Sequence, residues 1–283
     1  MTSPSPSLTP PIRYVDAGDI RFAYRRFGHD TGVPLVLVQH FRGNLDSYDP
    51  LILDALAQDR ELVLFDNRGV GLTNGTARET ISDMANDTAM FVDALGLHRC
   101  DVFGHSMGGH VSQMVALDRP EVVRRLILVG TGPQGGEGMA ARPPEVAALW
   151  TKQYEDQDEM WLPIFFSPSS ESQAAGRRFL QRRKGRTSDR DEPVSVETAT
   201  AHRTAASAWG QPTDPTYAYL QDIRQPTLVV NGSNDIIVPT VNSYILQQHL
   251  PNAQLILYPD SGHGAHFQYP EEFVREASYF LDS

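Results

Sequence analysis

The sequence predicts an α/β domain in which a mostly parallel sheet carries helices on both faces. Short apolar runs rich in β-branched residues alternate with longer segments of helical period, which is the pattern of βαβ units. Four runs, LVLV, LVLF, LILV and LVV, are continuously apolar, as expected for strands covered on both faces. A chain of 283 residues is long enough to bury the core of such a domain together with an insertion.

The individual elements follow from the same patterns. Seven segments predict strands, at residues 20–27, 34–39, 60–65, 100–104, 126–130, 227–231 and 254–258. Five segments predict helices of the layers around them, at residues 49–59, 81–95, 107–119, 241–249 and 271–281. Gly96 is placed to cap the second helix, and Pro120 ends the third because its ring cannot continue a helix.

The alternation stops in the region 133–222, where no strand is predicted. We expect this region to be a helical cap over one end of a core formed by residues 12–132 and 223–283. Residues 1–11, rich in proline and serine, are expected to form a disordered or extended lead-in. The helical segments of the cap are 143–156, 172–184 and 195–209, and its apolar surface comes from Trp150, Trp161, Phe165, Phe166 and Trp209.

Charge and composition limit the expected partners. With 24 Lys and Arg against 35 Asp and Glu, the chain carries a net charge of −11, which repels nucleic acid and anionic lipid. No stretch reaches the roughly 18 uninterrupted apolar residues of a membrane span. The N-terminus lacks signal-peptide features, and Cys100 is the single cysteine. We expect a cytoplasmic protein with no nucleic-acid or membrane partner.

The sequence leaves the oligomeric state open, a dimer included, because no heptad pattern decides it.

The predicted chemistry centres on Ser106. The segment DVFGHSMGGHV places Gly104, Ser106 and Gly108 in a G-x-S-x-G pattern between an apolar strand and a helical segment. Such a sharp turn lifts the serine hydroxyl clear of the sheet, and side chains at the glycine positions would clash with nearby backbone. The hydroxyl then lies at a helix N-terminus, where the unpaired N–H of Met107 favours negative charge. Ser106 is therefore a candidate nucleophile.

With these residues the chain resembles the α/β-hydrolase superfamily along nearly its whole length. QHFRGN at residues 39–44 occupies the place of the family's oxyanion loop, and FDNRGVGLT at 65–73 looks like the turn after its next strand. Phe41 stands where most relatives have glycine, and Thr73 where they commonly have serine, so their substrate classes cannot simply be carried over. The resemblance is to serine esterases and lactonases with a helical cap, and not to relatives with aspartate at the elbow.

The family's chain order implies the two partners of the serine. That order expects a carboxylate after a late strand and a histidine after the last one. Asp235 follows the strand TLVVN, whereas the alternative acid position, after LILVG, holds Thr131 and no carboxylate. The loop after QLILY offers His263 and His266, of which His263 matches the family's Gly-His position. The resemblance therefore implies Ser106 as nucleophile, His263 as base and Asp235 as the carboxylate that orients the base.

The resemblance also implies a mechanism without a metal or an organic cofactor. His263 would accept the Ser106 proton as Oγ attacks a carbonyl, and the N–H groups of Phe41 and Met107 would stabilise the oxyanion. The chain has neither H-E-x-x-H nor a G-x-G-x-x-G after a strand. Scaffold roles are expected for His105, His110, Asp66 and Arg68. The candidate substrate-pocket residues are His40, Arg42, Trp150, Trp161 and Phe165.

These features lead to the expectation of a serine hydrolase, a carboxylic ester hydrolase acting on an ester or lactone of a small, largely apolar molecule. Three alternatives stay open because a fold does not fix a function. One is a C–C bond hydrolase that uses the same three residues. The second is a cofactor-free oxygenase or lyase in which the histidine acts as base. The third is a hydrolase-like ligand receptor.

Overall fold

The computed structural model describes residues 5–30, 32–141, 143–150 and 152–283. In this part of the chain a single sheet contains eight strands. They are β1 (Arg13–Ala17), β2 (Ile20–Gly28), β3 (Leu35–Val38), β4 (Glu61–Phe65), β5 (Cys100–His105), β6 (Val123–Val129), β7 (Thr227–Gly232) and β8 (Ala253–Tyr258).

The strand order in the sheet is β1-β2-β4-β3-β5-β6-β7-β8. The first two pairings, β1 with β2 and β2 with β4, are antiparallel, and all later pairings are parallel. The predicted fold class, a mostly parallel sheet with helices on both faces, is confirmed. The sequence patterns missed only β1, an edge strand whose residues are mostly exposed.

Helices occupy both faces of the sheet and the region between β6 and β7. The helices before β6 and after β7 are α1 (Pro50–Leu56), α2 (Ile81–Ala94), α3 (Met107–Asp118), α8 (Val241–His249), α9 (Ala265–Gln268) and α10 (Pro270–Asp282). Between β6 and β7 lie α4 (Pro144–Leu149), α5 (Trp161–Phe165), α6 (Ser170–Arg183) and α7 (Val196–Trp209). The described residues between Val129 and Thr227 form no strand.

The central strands separate two apolar cores. Successive side chains of a strand point to opposite faces of a sheet. Accordingly, Leu35 and Leu37 of β3 pack into one core, and Val36 and Val38 pack into the other. All four are at most 1 % exposed, which explains why the sequence shows a continuous apolar run here instead of an alternating one.

The N-terminal segment differs from the lead-in expected for residues 1–11. Residues 1–4 lie outside the described residues, and Pro6–Leu8 forms a 3-10 helix against α1. The Ser7 N–H donates to Asp54 Oδ1 at 2.6 Å, and the Arg186 guanidinium donates to the carbonyl oxygen of Leu8 at 2.8 Å. These charged partners satisfy backbone groups of the segment, so it packs in place despite its proline- and serine-rich composition.

Charged groups in the region between β6 and β7 form hydrogen bonds with the segments around β3, β4 and α1. Arg182 of α6 donates to the buried Asp49 at the start of α1, at 2.5 and 2.8 Å. Asp191, in the segment between α6 and α7, accepts from the N–H groups of Leu45 at 3.2 Å and Leu72 at 3.1 Å. No helix of the described chain is long and apolar enough to span a membrane.

Candidate active site

Ser106 lies at the turn that joins β5 to α3, with φ 56° and ψ −120°. This backbone conformation is strained for a residue with a side chain. Both flanking glycines are required by close packing. A Cβ on Gly108 would lie 2.1 Å from the carbonyl oxygen of Val38, and one on Gly104 would lie 2.4 Å from Ser112 Oγ. The turn therefore forms only where β3, β5 and α3 approach closely, and it holds Ser106 at the carboxyl ends of the strands.

His263 and Asp235 meet Ser106 from the loops after β8 and β7. Ser106 Oγ lies 2.7 Å from His263 Nε2, and His263 Nδ1 lies 2.8 Å from Asp235 Oδ2. The other carboxylate oxygen of Asp235 accepts from the N–H groups of Ile237 at 2.8 Å and Val238 at 3.0 Å. Because the carboxylate accepts the Nδ1 proton, Nε2 of the neutral ring accepts from the serine hydroxyl. The structure thus brings the three residues together in one buried hydrogen-bonded series.

The chain reverses after β3 in a turn beside Ser106. The Gly43 N–H donates to the His40 carbonyl oxygen at 2.9 Å, and Arg42 adopts a left-handed φ of 59°. Phe41, at the second position of this turn, lines the same pocket as Ser106 and Met107. The Met107 N–H belongs to the first residue of α3, so it has no acceptor within its own helix. Two backbone segments near the serine hydroxyl can therefore offer N–H donors.

His40 is buried in the wall of the pocket as a neutral side chain. Its Nδ1 donates to the carbonyl oxygen of Phe41 at 2.8 Å. Its ring packs edge-to-face against Trp161 and Phe165, with centroid distances of 5.0 and 5.4 Å. Burial lowers the pKa of His40 to about 3, so the ring stays uncharged at neutral pH. Its hydrogen bond supports the turn, and its ring lines the pocket.

Ser106 opens into a pocket of about 390 Å³. All five residues predicted as substrate contacts line it: His40, Arg42, Trp150, Trp161 and Phe165. Sequence reasoning missed further lining residues from the loop after β6, from α5 and α7, and from the loop after β7, among them Met139, Ile164, Ala199, Arg203, Ile237 and Val238. The helical period of residues 195–209 could have restricted the α7 candidates to one face, because Ala199, Arg203 and Ala206 are spaced by four and three residues.

The other histidines near the site lie behind or beside the reacting groups. His105 Nε2 donates to the His263 carbonyl oxygen at 3.1 Å, which supports the loop that carries His263. The ring of His266 lies 4.5 Å from that of His105, and burial lowers the pKa of both well below the usual value. His110 stacks on Trp209 at 5.2 Å and also lines the pocket. His105 and His266 are therefore buried behind the pocket, whereas His110, also expected to be scaffold, is part of the pocket surface.

Asp66 and Arg68, expected as a structural pair in the turn after β4, bond to different partners. Asp66 is buried, and its Oδ1 accepts from the Leu45 N–H at 2.9 Å, close to the carboxyl group of Asp191. Burial and the negative charge of Asp191 raise the pKa of Asp66 well above its usual value. Arg68 instead pairs with Asp19 at 2.5 Å. Asp66 thus joins the core to the segment before α7.

The structure offers no metal centre among residues 5–30, 32–141, 143–150 and 152–283, where no group of three or more histidine, cysteine, aspartate or glutamate side chains could hold a metal ion. The pocket at Ser106 is our candidate active site, because the candidate nucleophile, base and carboxylate form one hydrogen-bonded series there.

Comparisons with known proteins show the family of the chain. A solved alpha/beta hydrolase fold protein from Chitinophaga pinensis is 40% identical, with a TM-score of 0.93 over 98% of this chain and 99% of that chain. RutD of Rhizobium rhizogenes, whose name assigns it provisionally to carbamate hydrolysis, is 30% identical over 84% of this chain and 89% of its own length. A pimeloyl-[acyl-carrier protein] methyl ester esterase of Nitrosomonas europaea is 29% identical over 79% of this chain and 86% of its own length. The sequence profile of the alpha/beta hydrolase fold matches residues 33–270. The chain belongs to the alpha/beta hydrolase fold family.

Proposed function

We propose that this chain is a serine hydrolase, a carboxylic ester hydrolase that cleaves an ester or lactone of a small, largely apolar molecule through an acyl-enzyme. The observation that carries the proposal is the series in which Ser106 Oγ lies 2.7 Å from His263 Nε2 and His263 Nδ1 lies 2.8 Å from Asp235. Both distances are within the reach that a nucleophile, its base and the group that orients the base require. Ser106 and His263 also line the pocket, so a bound carbonyl carbon can reach the hydroxyl oxygen.

The reaction follows from these contacts. When Ser106 Oγ attacks the carbonyl carbon, its proton passes to His263 Nε2, and the Asp235 carboxylate stabilises the resulting imidazolium. The leaving alcohol takes this proton as the tetrahedral intermediate collapses to the acyl-enzyme. Water then attacks the acyl group, with His263 Nε2 as its base, and the acid leaves as Ser106 regains its proton. The N–H groups of Ile237 and Val238 hold the Asp235 carboxylate in place throughout.

The oxyanion would be stabilised by the N–H groups of Phe41 and Met107. Met107 begins α3, so its N–H carries the positive end of the helix dipole toward the site. The turn at His40–Gly43 fixes the peptide of Phe41 beside the serine. Each such donor contributes about 3 kcal/mol to transition-state stabilisation in other acyl-transfer enzymes. Because both donors belong to the backbone, the phenylalanine in place of glycine leaves this role intact.

We also propose that residues 133–222 act as a cap over a core formed by residues 12–132 and 223–283. Helices α4, α5 and α7 contribute to the pocket wall, and Trp161 and Phe165 of α5 stack at 4.8 Å beside the reacting groups. A pocket of about 390 Å³ matches the usual size of small-molecule sites. The relatives named for methyl ester and carbamate hydrolysis support a carbonyl substrate with a heteroatom leaving group.

The proposal is tested by hydrolysis of a graded p-nitrophenyl ester series and several lactones. Wild type, Ser106→Ala and His263→Ala are compared, with Ser82→Ala as the control because Ser82 is an exposed serine that does not line the pocket. We expect roughly 1,000-fold or larger losses of kcat for Ser106→Ala and His263→Ala, and wild-type turnover for the control. A fluorophosphonate should label Ser106 in the wild type and leave Ser106→Ala unlabelled.

Two other outcomes favour the alternatives. Turnover that survives in Ser106→Ala would point to chemistry in which His263 alone acts as base, as in a cofactor-free oxygenase or lyase. Labelling of Ser106 without turnover of any ester or lactone would show a competent nucleophile with a different substrate. That result would favour a C–C bond hydrolase or a ligand receptor, and release of product from a ring-cleavage diketone would separate these two.

A further inference from the structure

The pocket at Ser106 contains two arginines and no acidic side chain among its described lining residues. Arg42 lies in the turn after β3, and Arg203 lies on α7. The remaining ionisable side chains of the lining are the histidines His40, His110 and His263. A protein with a net charge of −11 therefore presents a positively charged surface at this pocket.

Neither arginine forms an ion pair with a described acidic side chain, although both border a pocket. Arg182 of α6, by contrast, bonds to Asp49 at 2.5 and 2.8 Å. Arg42 contacts Met160 Sδ at 3.9 Å, and the described residues place no carboxylate within 4.0 Å of its guanidinium or that of Arg203. Burial and the neighbouring positive charge of Arg203 lower the pKa of Arg42. The half-buried charge of Arg42 is therefore unfavourable without a negative partner, as expected where a ligand supplies the negative charge.

The two cations lie in different walls of the pocket. Arg42 directly follows Phe41, whose N–H is a proposed oxyanion donor, and it is half-buried. Arg203 is more exposed and shares one face of α7 with Ala199 and Ala206, which also line the pocket. The aromatic side chains of Trp150, Trp161 and Phe165 line the remainder. The pocket thus combines an apolar wall for the body of a molecule with a positive region for an anionic end.

We infer that the substrate carries a carboxylate remote from the carbonyl that Ser106 attacks, and that Arg42 and Arg203 bind this carboxylate. The inference rests on the proposed function, because it names the substrate class of the same site. Arginine presents paired N–H donors that match a carboxylate, and charged hydrogen bonds are stronger where water is excluded. The substrate class is therefore a half-ester, or a lactone with a carboxylate side chain, of otherwise apolar character.

The test compares two esters that differ only in this charge: mono-p-nitrophenyl adipate, with a free carboxylate, and its methyl-capped neutral counterpart. The measured quantity is the ratio of kcat/KM for the anionic ester to kcat/KM for the neutral ester. This ratio cancels losses that a variant causes through general damage to the site. We expect a wild-type ratio above about 10, since each charged hydrogen bond favours the anionic ester.

The variants are Arg42→Met, Arg42→Lys and Arg203→Met. Methionine keeps the unbranched apolar part of the side chain without its charge and tolerates the left-handed φ of residue 42 no worse than arginine does. We expect Arg42→Met to lower the ratio roughly 10- to 100-fold, Arg203→Met to lower it less because that side chain is more exposed, and Arg42→Lys to restore part of it. Arg177→Met, on the exposed face of α6, is the matched control and should keep the wild-type ratio within twofold.

The outcomes separate this inference from the proposed function. A wild-type ratio near or below 1 that does not change in Arg42→Met overturns the inference, while hydrolysis of the neutral ester by Ser106 leaves the serine hydrolase intact. An equal fall of the ratio in Arg177→Met also overturns it, because the effect would then come from overall charge. Failure to hydrolyse either ester, together with no labelling of Ser106, removes both.

Discussion

A single methyl group at residue 108 tests whether the packing around the strand-to-helix turn positions the reactive serine. In Gly108→Ala the new Cβ would lie 2.1 Å from the carbonyl oxygen of Val38 and 2.7 Å from that of Gln39. Real Cβ atoms essentially never approach closer than 3.0 Å, so β3 and α3 must separate by about 1 Å. The backbone at Gln39 leads directly into the turn that holds Phe41. The substitution therefore moves a proposed oxyanion donor away from Ser106.

This displacement sets the expected size of the effect. Overpacking of this kind costs about 1–3 kcal/mol of stability. A shift of about 1 Å in catalytic geometry lowers activity roughly 100-fold. We therefore expect Gly108→Ala to remain folded but to lose about 100-fold in kcat/KM for a p-nitrophenyl ester. The loss should appear chiefly in kcat, because donors that contact the oxyanion act in the transition state.

Gly96→Ala is the matched control. Gly96 has a positive φ of 69°, unlike the helical Gly108, and a Cβ there has open space around it. Its substitution should cost about 1 kcal/mol through backbone strain alone and leave kcat/KM unchanged. Thermal unfolding of both variants and steady-state kinetics complete the assay. If Gly108→Ala and Gly96→Ala lose similar stability and both keep wild-type kcat/KM, the packing of the turn does not position the site.

Three further predictions concern charge and protonation. Asp235→Asn should lower kcat roughly 1,000- to 10,000-fold in ester hydrolysis with little change in Tm, because an amide no longer selects the His263 tautomer. Burial lowers the pKa of His202 to about 4. Between pH 4 and about 6.5 the unfolded chain therefore binds a proton at His202 that the folded chain does not bind. Stability should therefore fall as the pH decreases from 6.5 to 4, and in urea unfolding His202→Leu should lose about 2 kcal/mol less than wild type between pH 7 and pH 5. The pKa values of Asp66 and Asp191 are raised, so their contribution to stability is present at low pH and lost as the pH rises through the folded-state values. Asp191→Asn should flatten this decline in unfolding measured as the pH is raised from about 4, the ordinary pKa of a carboxyl group, and an unchanged slope would contradict the assignment.

The parts of the fold that sequence predicts well are those fixed by local pattern. The segment LVLV at Leu35–Val38 reads as a buried strand because both of its faces enter a core. The edge strand Arg13–Ala17 is not predicted by this pattern, because most of its side chains are exposed. The N-terminal 3-10 helix depends on contacts with Asp54 and Arg186, which are distant in sequence. Composition alone cannot reveal such contacts.

In the candidate site, too, some residues are predictable from local sequence and others depend on tertiary packing. Gly-rich turn chemistry and chain order predict which serine, carboxylate and histidine lie together, and the distances in the structure agree with that grouping. The catalytic roles themselves stay a prediction. Arg203 could not be chosen from the sequence, because the face of α7 that borders the pocket depends on how that helix packs. Helical period shows which residues share a face of a helix, but tertiary packing decides which face lines the pocket.

Attack by Ser106 to give an acyl-enzyme is tested by rapid acid quench of wild type mixed with excess p-nitrophenyl butyrate. Intact-mass measurement followed by peptide mapping identifies any acylated residue. We expect a butyryl adduct on Ser106 within the first turnover, and no adduct in Ser106→Ala. Full p-nitrophenol release with butyryl groups absent from Ser106, or with the adduct on another residue, would contradict this mechanism.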